Sequence, residues 1–135
     1  MRLEHIGIAV ANLDESEQLL ERLLGRGSYK RETVEGQSVT TSFYRAGAGE
    51  AKLELVAPAG GAGPIQKFLD KRGPGIHHLA FEVDDIAAEM RRLRADGFEL
   101  LQEVPTEGAD DKLVCFLHPR STNGVLVEIC QSKRE

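Results

Sequence analysis

The sequence repeats one pattern: a histidine near the start of a β-prone segment, followed by a glutamate near the end of a later one. His5 lies in the run Leu-Glu-His-Ile-Gly-Ile-Ala-Val, and Glu54 lies in Lys-Leu-Glu-Leu-Val. His78 and Glu128 follow these residues at offsets of 73 and 74 positions. A duplicated fold can bring two imidazoles and two carboxylates to one point. The repeat therefore predicts a metal site built from one histidine and one glutamate of each copy.

The first copy has the pattern of a strand, a helix and three further strands. Residues 3–10 alternate between apolar and small or polar side chains, which predicts a strand. Asn12 is a suitable helix cap and Gly25 a suitable helix end, with a leucine-rich stripe between them that includes Leu19 and Leu23. Three β-prone runs follow, at residues 29–34, 39–44 and 52–57.

The second copy repeats this order after a connector and a short helix. The Gly-rich segment 57–63 precedes a helix that begins at Pro64 and carries Ile65, Phe68 and Leu69 on one face. We predict strands in this copy at 76–83, 99–104, 113–117 and 125–130. The first strand is followed by a helix that Asp84 or Asp85 caps, that is buried through Ile86, Met90 and Leu93, and that ends before Gly97.

This order predicts an α+β fold of two tandem βαβββ modules that form a cup-shaped mixed β-sheet, with a short linker helix. The length of 135 residues fits one domain. We expect module 1 at about residues 1–58, the linker and its helix at about 59–73, and module 2 at about 74–131.

Side-chain alternation places the four polar residues on one face of the predicted sheet. His5 shares a face with Gly7, opposite the apolar residues that pack on the helix. His78 has the same parity in its copy, whereas His77 points the other way. Glu54 and Glu128 likewise lie opposite their apolar neighbours. Taken singly, each of these residues is more often structural or solvated than a ligand, so the prediction depends on their joint repetition.

Composition excludes several classes of function. With 22 acidic and 17 basic residues, the formal charge of −5 argues against a nucleic-acid-binding surface. No apolar run approaches the roughly 20 residues of a membrane helix, and the first residues lack a signal-peptide pattern. A cytoplasmic enzyme is therefore expected. Cys115 and Cys130 form no Cys-x-x-Cys pair, and we interpret them as buried thiols.

Several blocks of the sequence resemble the vicinal oxygen chelate superfamily, and within it the methylmalonyl-CoA epimerase family. The most specific block reads His-Pro-x-Ser-x-x-Gly-Val-Leu-Val-Glu. The resemblance covers nearly the whole chain, through residues 4–10, 53–58, 64–73, 75–81 and 116–128.

The resemblance implies a glyoxalase-like fold and epimerisation of (2R)/(2S)-methylmalonyl-CoA through a metal-stabilised enolate. It implies that His5, Glu54, His78 and Glu128 bind a divalent ion. Cobalt is the ion we expect, although a mixed nitrogen and oxygen ligand set also suits zinc, nickel, manganese or magnesium. The family is commonly homodimeric.

The chain departs from some members of this family at the second proton-transfer base. Those members carry a carboxylate in the strand where this chain has Thr41. Some relatives also have Gln where this chain has Glu54. We hypothesise that the two differences are linked, so that Glu54 and Glu128 are the two catalytic bases, an arrangement that resembles glyoxalase I.

An acyl-CoA substrate is anionic and requires local positive charge on this acidic protein. Lys67 and Lys71 lie four residues apart on the predicted linker helix, and Lys112 and Arg120 flank a predicted strand. We predict that these four residues contact the CoA moiety, although each one singly is more often a solvated charge.

Three rival functions remain open at this stage. A glyoxalase I-like lactoylglutathione lyase would use the same four ligands. Extradiol dioxygenases of the superfamily use two histidines and one carboxylate around iron(II), so Glu54 counts against that assignment. A non-catalytic small-molecule-binding protein of the superfamily commonly lacks the ligands altogether.

Overall fold

The computed structural model describes residues Met1–Lys133. The chain divides into two compact units. One comprises residues 5–77, and the other comprises residues 1–4 together with the chain from His78 onward. Among residues 1–133, no helix combines the length and apolar character needed to cross a membrane.

The first module contains the predicted strand, helix and three further strands, and the linker helix follows it. Its helix has Asn12 as N-cap, whose side chain accepts a hydrogen bond from the Glu15 N–H, and it ends at Gly25 in the left-handed conformation (φ 73°). The elements are β1 (Arg2–Ala9), α1 (Leu13–Leu24), β2 (Lys30–Val34), β3 (Val39–Arg45), β4 (Lys52–Pro58) and α2 (Pro64–Arg72).

The second module has the same order of elements. Asp85 is the N-cap of its helix and accepts a hydrogen bond from the Ala88 N–H. Beyond the last helical residue, Gly97 has a φ of 92°. The elements are β5 (Gly75–Glu82), α3 (Ile86–Ala95), β6 (Thr106–Gly108), β7 (Lys112–Leu117) and β8 (Leu126–Ser132).

The two modules share one strand order. The first runs β2-β3-β4-β1 and the second β6-β7-β8-β5. In each module the first strand is parallel to the last, and the other pairs are antiparallel. The predicted mixed sheet of each βαβββ module is therefore confirmed.

Each helix of a module covers the apolar face of its own strands. Under α1, Leu20 packs with Val10, Tyr44 and Leu55. Under α3, the predicted stripe of Ile86, Met90 and Leu93 is buried with Cys115, Leu117 and Ile129. The linker helix α2 packs through Ile65, Phe68 and Leu69 on Ala9, Val39 and Val56.

The prediction that the whole leucine stripe of α1 is buried is wrong at two positions. Leu19 and Leu23 are 57% and 73% exposed. The apolar face of α1 is therefore narrower than the leucine content suggests, and Leu20 is its one buried residue among those the structure describes.

The strand predicted at residues 99–104 is also wrong. This segment makes only an isolated bridge between Leu100 and Leu117. The Gln102 side chain accepts a hydrogen bond from the Phe116 N–H (2.7 Å), while its main-chain carbonyl accepts one from Arg94. Pro105 has no N–H to donate, so the regular ladder begins only afterwards, at β6.

Candidate active site

In the first module, strand register brings the predicted histidine and glutamate together. The parallel pair β1–β4 aligns His5 with Lys52 and Gly7 with Glu54. The side chains of His5 and Glu54 therefore leave the same face of the sheet, offset by two residues of strand register. The His5 Nε2 atom lies 3.1 Å from the Glu54 Oε1 atom.

The second module has the same arrangement, although different residues flank its histidine and its glutamate. The parallel pair β5–β8 aligns His78 with Leu126 and Ala80 with Glu128. The His78 Nε2 atom lies 3.4 Å from the Glu128 Oε1 atom. The sequence repeat is thus also a repeat of register and of side-chain contact.

Both half-sites are buried. His5, Glu54 and His78 are each 5% exposed, and Glu128 is 6% exposed. Removing a carboxylate from water to this extent costs free energy unless the carboxylate binds a cation, is protonated or accepts hydrogen bonds. Imidazole nitrogens and carboxylate oxygens are also donor types that first-row divalent metals bind. The residues of each half-site therefore fit a divalent ion by their chemistry.

A phenylalanine that sequence reasoning missed accompanies each half-site. Phe43 of β3 pairs directly with Glu54, and Phe116 of β7 pairs with Glu128. The Phe43 ring meets the His5 imidazole edge-on, with centroids 6.4 Å apart and planes at 84°. The Phe116 ring meets His78 in the same way, at 6.2 Å and 83°. The offset of 73 residues between the two phenylalanines was the signal that could have found them.

Thr41, at the position of the departure from some relatives, is 1% exposed. Its hydroxyl donates a hydrogen bond to the main-chain carbonyl of Glu32 on the neighbouring strand (3.2 Å). This hydroxyl helps to join β2 to β3.

Comparison with known proteins supports one family. Residues 4–116 match the family model described as Glyoxalase/Bleomycin resistance protein/Dioxygenase superfamily. The mitochondrial methylmalonyl-CoA epimerase of Dictyostelium discoideum is 40% identical over 95% of this chain and 76% of its own. The ethylmalonyl-CoA/methylmalonyl-CoA epimerase of Cereibacter sphaeroides is 38% identical over 96% of this chain and 97% of its own.

The chain belongs to the methylmalonyl-CoA epimerase family of this superfamily. The solved structure of methylmalonyl-CoA epimerase from Mycobacterium tuberculosis matches it with a TM-score of 0.93 at 37% identity. That match covers 97% of this chain and 87% of the other. It confirms the predicted glyoxalase-like α+β fold.

Two of the four basic residues predicted to contact CoA are exposed on the linker helix. Lys67 and Lys71 lie one turn apart on the solvent side of α2. Nearby on the same helix, Arg72 lies over the Phe68 ring at 5.8 Å. Phe68 in turn meets the His77 ring at 4.9 Å, so His77 points to α2, opposite in parity to His78.

The other two basic residues are paired with carboxylates. Lys112 is 9% exposed, and its Nζ lies 3.5 Å from Glu82 and 3.8 Å from Glu4. Arg120 donates two hydrogen bonds to Glu99, at 2.8 and 2.9 Å. The Arg120 guanidinium lowers the pKa of the Glu99 carboxyl. These contacts give Lys112 and Arg120 structural roles that the sequence did not reveal.

Both cysteines are buried thiols, as predicted. Burial raises the pKa of the Cys115 thiol, which keeps it protonated at neutral pH.

Proposed function

We propose that this protein is an isomerase that epimerises methylmalonyl-CoA by moving the proton at C2. The observation that carries the proposal is the repeated half-site: each module of an epimerase-family chain holds one buried imidazole against one buried carboxylate. A protein that only sequesters a ligand has no need for two such buried pairs.

We further propose that His5, Glu54, His78 and Glu128 together bind one divalent ion. When bound, the ion supplies positive charge that stabilises the enolate formed when C2 loses its proton. Cobalt is the ion we propose to test first, and zinc, nickel, manganese and magnesium are the alternatives that the same nitrogen and oxygen donors accept.

Glu54 and Glu128 are proposed as the two catalytic bases. The proton at C2 lies between a thioester and a carboxylate, so its removal leaves a delocalised negative charge. Epimerisation requires one carboxylate to take this proton from one face and a second, protonated one to return a proton to the other face. Glu54 and Glu128 suit these roles because each lies buried beside an imidazole. Thr41 has no titratable group at neutral pH, which leaves Glu54 as the second base.

For the CoA moiety we propose electrostatic contacts from Lys67 and Lys71, which are exposed on one helix face. Arg120 stays a predicted contact through the outer part of its guanidinium, since its side chain is 69% exposed even while paired with Glu99. Lys112 also stays a prediction, but its burial between two carboxylates favours a structural role.

A homodimer and a cytoplasmic location complete the proposal. The homodimer is the state that the family resemblance implies. Sedimentation velocity of the metal-loaded protein tests it, since a single species of monomer mass would contradict it.

Deuterium entry at C2 of methylmalonyl-CoA in heavy water tests the proposed function. One stereoisomer is supplied to protein stripped of metal and then to protein resupplied with cobalt. We expect cobalt-dependent exchange with loss of optical purity. Ethylmalonyl-CoA, which the name of the Cereibacter sphaeroides relative includes, is the second substrate to compare. No exchange of either substrate with any divalent ion would overturn the proposal.

The same preparations separate the rival functions. A lactoylglutathione lyase would turn over the glutathione adduct of methylglyoxal and leave acyl-CoA unchanged. A binding protein without chemistry would bind its ligand equally well with and without metal.

A further inference from the structure

We propose that Phe43 and Phe116 are positioning residues that fix the imidazoles of His5 and His78 for metal binding. The proposal rests on the proposed function only in assigning these histidines to a metal. It concerns each module separately, because each phenylalanine contacts the histidine of its own module.

The geometry is the same in both modules. Three adjacent strands of each contribute one residue: the phenylalanine, the glutamate directly opposite it, and the histidine. Centroid distances of 6.4 and 6.2 Å with planes at 84° and 83° lie within the range of attractive edge-to-face pairs. The contact occurs twice although the neighbours of the two phenylalanines along the chain differ.

Equivalent positions on the same sheet face have otherwise diverged between the modules. The triad of histidine, glutamate and phenylalanine is identical in both copies. The positions around it hold different residues in the first and second module, namely Gly7 and Ala80, Ala9 and Glu82, Val39 and Lys112, Thr41 and Val114, and Val56 and Cys130. Descent from one ancestor alone does not explain why the phenylalanine was kept while its neighbours changed.

Packing under the helices does not account for these rings. In the part of the chain that the structure describes, the clusters under α1, α2 and α3 contain neither Phe43 nor Phe116. Phe43 is 1% exposed and also meets the Tyr29 ring at 6.0 Å. Phe116 is half-buried.

The physical effect is preorganisation of the ligand. The χ2 torsion of histidine is broad, so an unsupported imidazole can turn its Nε2 away from the ion. A ring packed against the imidazole narrows that torsion before metal arrives, and groups that orient a ligating histidine commonly tune metal affinity.

The test measures cobalt affinity by competition with a chromogenic chelator, at a temperature well below unfolding. We expect Phe43→Leu and Phe116→Leu each to weaken cobalt binding about 2- to 12-fold, the loss of one aromatic pair, and to alter the visible absorption of bound cobalt. Phe43→Tyr and Phe116→Tyr keep the ring and should retain affinity. Phe98→Leu is the matched control, because Phe98 packs under α3, and it should leave affinity unchanged.

Leucine variants that bind cobalt with wild-type affinity and spectrum would overturn the inference. If Phe43→Leu does not fold, the half-buried Phe116 decides the question by the same comparison. Wild-type deuterium exchange is measured in parallel. Its absence defeats the proposed function, whereas an active wild type with unaffected leucine variants defeats this inference alone.

Discussion

At the residue scale, the carboxylates of Glu54 and Glu128 are the groups on which the proposed chemistry depends. Each is buried, each contacts one imidazole, and each lies directly across from one phenylalanine. Because each carboxylate makes the same contacts with one imidazole and one phenylalanine, replacing either should have a comparable effect.

We expect Glu54→Gln and Glu128→Gln each to lower the turnover of methylmalonyl-CoA by roughly 10²–10⁴-fold, because each removes one proton-transferring group. Steady-state epimerisation with saturating cobalt is the measurement, and cobalt content is determined for each variant. Glu50→Gln, in an exposed turn, is the control and should keep full turnover. A Glu54→Gln enzyme with undiminished turnover would show that the second base lies elsewhere.

Substitution of the exposed Lys67 and Lys71 should weaken substrate binding, whereas substitution of the buried Lys112 should lower stability. Lys67→Ala and Lys71→Ala should raise the KM for the acyl-CoA about two- to fivefold each, as expected of exposed charge contacts. Lys112→Met should instead lower the free energy of unfolding by about 1–3 kcal/mol, because it removes the cation that lies 3.8 Å from the buried Glu4 carboxylate, whereas Glu82 keeps its ion pair with Arg2. Kinetics and urea titration distinguish the two. A large KM change in a stable Lys112→Met protein would favour the CoA contact.

At the scale of the elements, side-chain hydrogen bonds cap the first turns of α1 and α3 and join α1 to its neighbouring strands. Asn12 and Asp85 cap α1 and α3 in the same manner, each through the N–H three residues later. Glu17 of α1 accepts hydrogen bonds from Arg31 of β2 and Ser42 of β3, so one carboxylate links three elements.

We expect Asn12→Ala and Asp85→Ala each to lower the free energy of unfolding by about 1 kcal/mol, the usual loss for an N-cap. Urea denaturation provides the measurement. Asn12→Ser and Asp85→Ser restore a capping oxygen and should recover most of the loss. Alanine and serine variants of equal stability would contradict the capping role.

The hydrogen bonds that Glu17 accepts from Arg31 and Ser42 should make the free energy of unfolding depend on pH. Burial raises the pKa of Glu17, but the hydrogen bonds from Arg31 and Ser42 outweigh it, so the pKa lies below its ordinary value of 4.5. This carboxylate therefore contributes stability above pH 4.5, and the contribution is lost as pH falls through the lower folded pKa.

Glu17→Gln should accordingly lower stability by about 1–3 kcal/mol at pH 7 and flatten the loss of stability in acid. Urea titrations from pH 7 to pH 3 measure both effects. Glu21→Gln, exposed on the same helix, should behave as wild type. An unchanged acid limb in Glu17→Gln would exclude this origin of the pH dependence.

At the scale of the whole molecule, the open prediction is that the two modules form a single domain. The compact units hold separate natural probes: Tyr29 and Tyr44 lie in residues 5–77, and Cys115 and Cys130 lie beyond His78. One domain should unfold in one cooperative transition, with tyrosine fluorescence and cysteine exposure to a pulsed thiol reagent changing at the same urea concentration. Two separated midpoints would mean that the modules unfold independently.

The sequence by itself predicted much of this protein because its strongest signals are local and repeated. Side-chain alternation placed His5 and Glu54 each opposite the apolar residues of its own strand, and the cap at Asn12 and the glycine after α1 marked the helix ends. The repeat then transferred the same expectation to the second module. These features depend on neighbours along the chain and need no knowledge of which strands pair.

The tertiary structure decided what depends on pairing between distant segments. Register brought Phe43 and Phe116 against the imidazoles, and it buried Lys112 beside Glu82, which its charge alone does not suggest. The order of elements in the repeat predicts a strand at residues 99–104, yet they stay irregular because the Gln102 side chain takes the Phe116 N–H. A hydrogen bond between strands is fixed by the whole pairing pattern, so a single segment of sequence does not determine it.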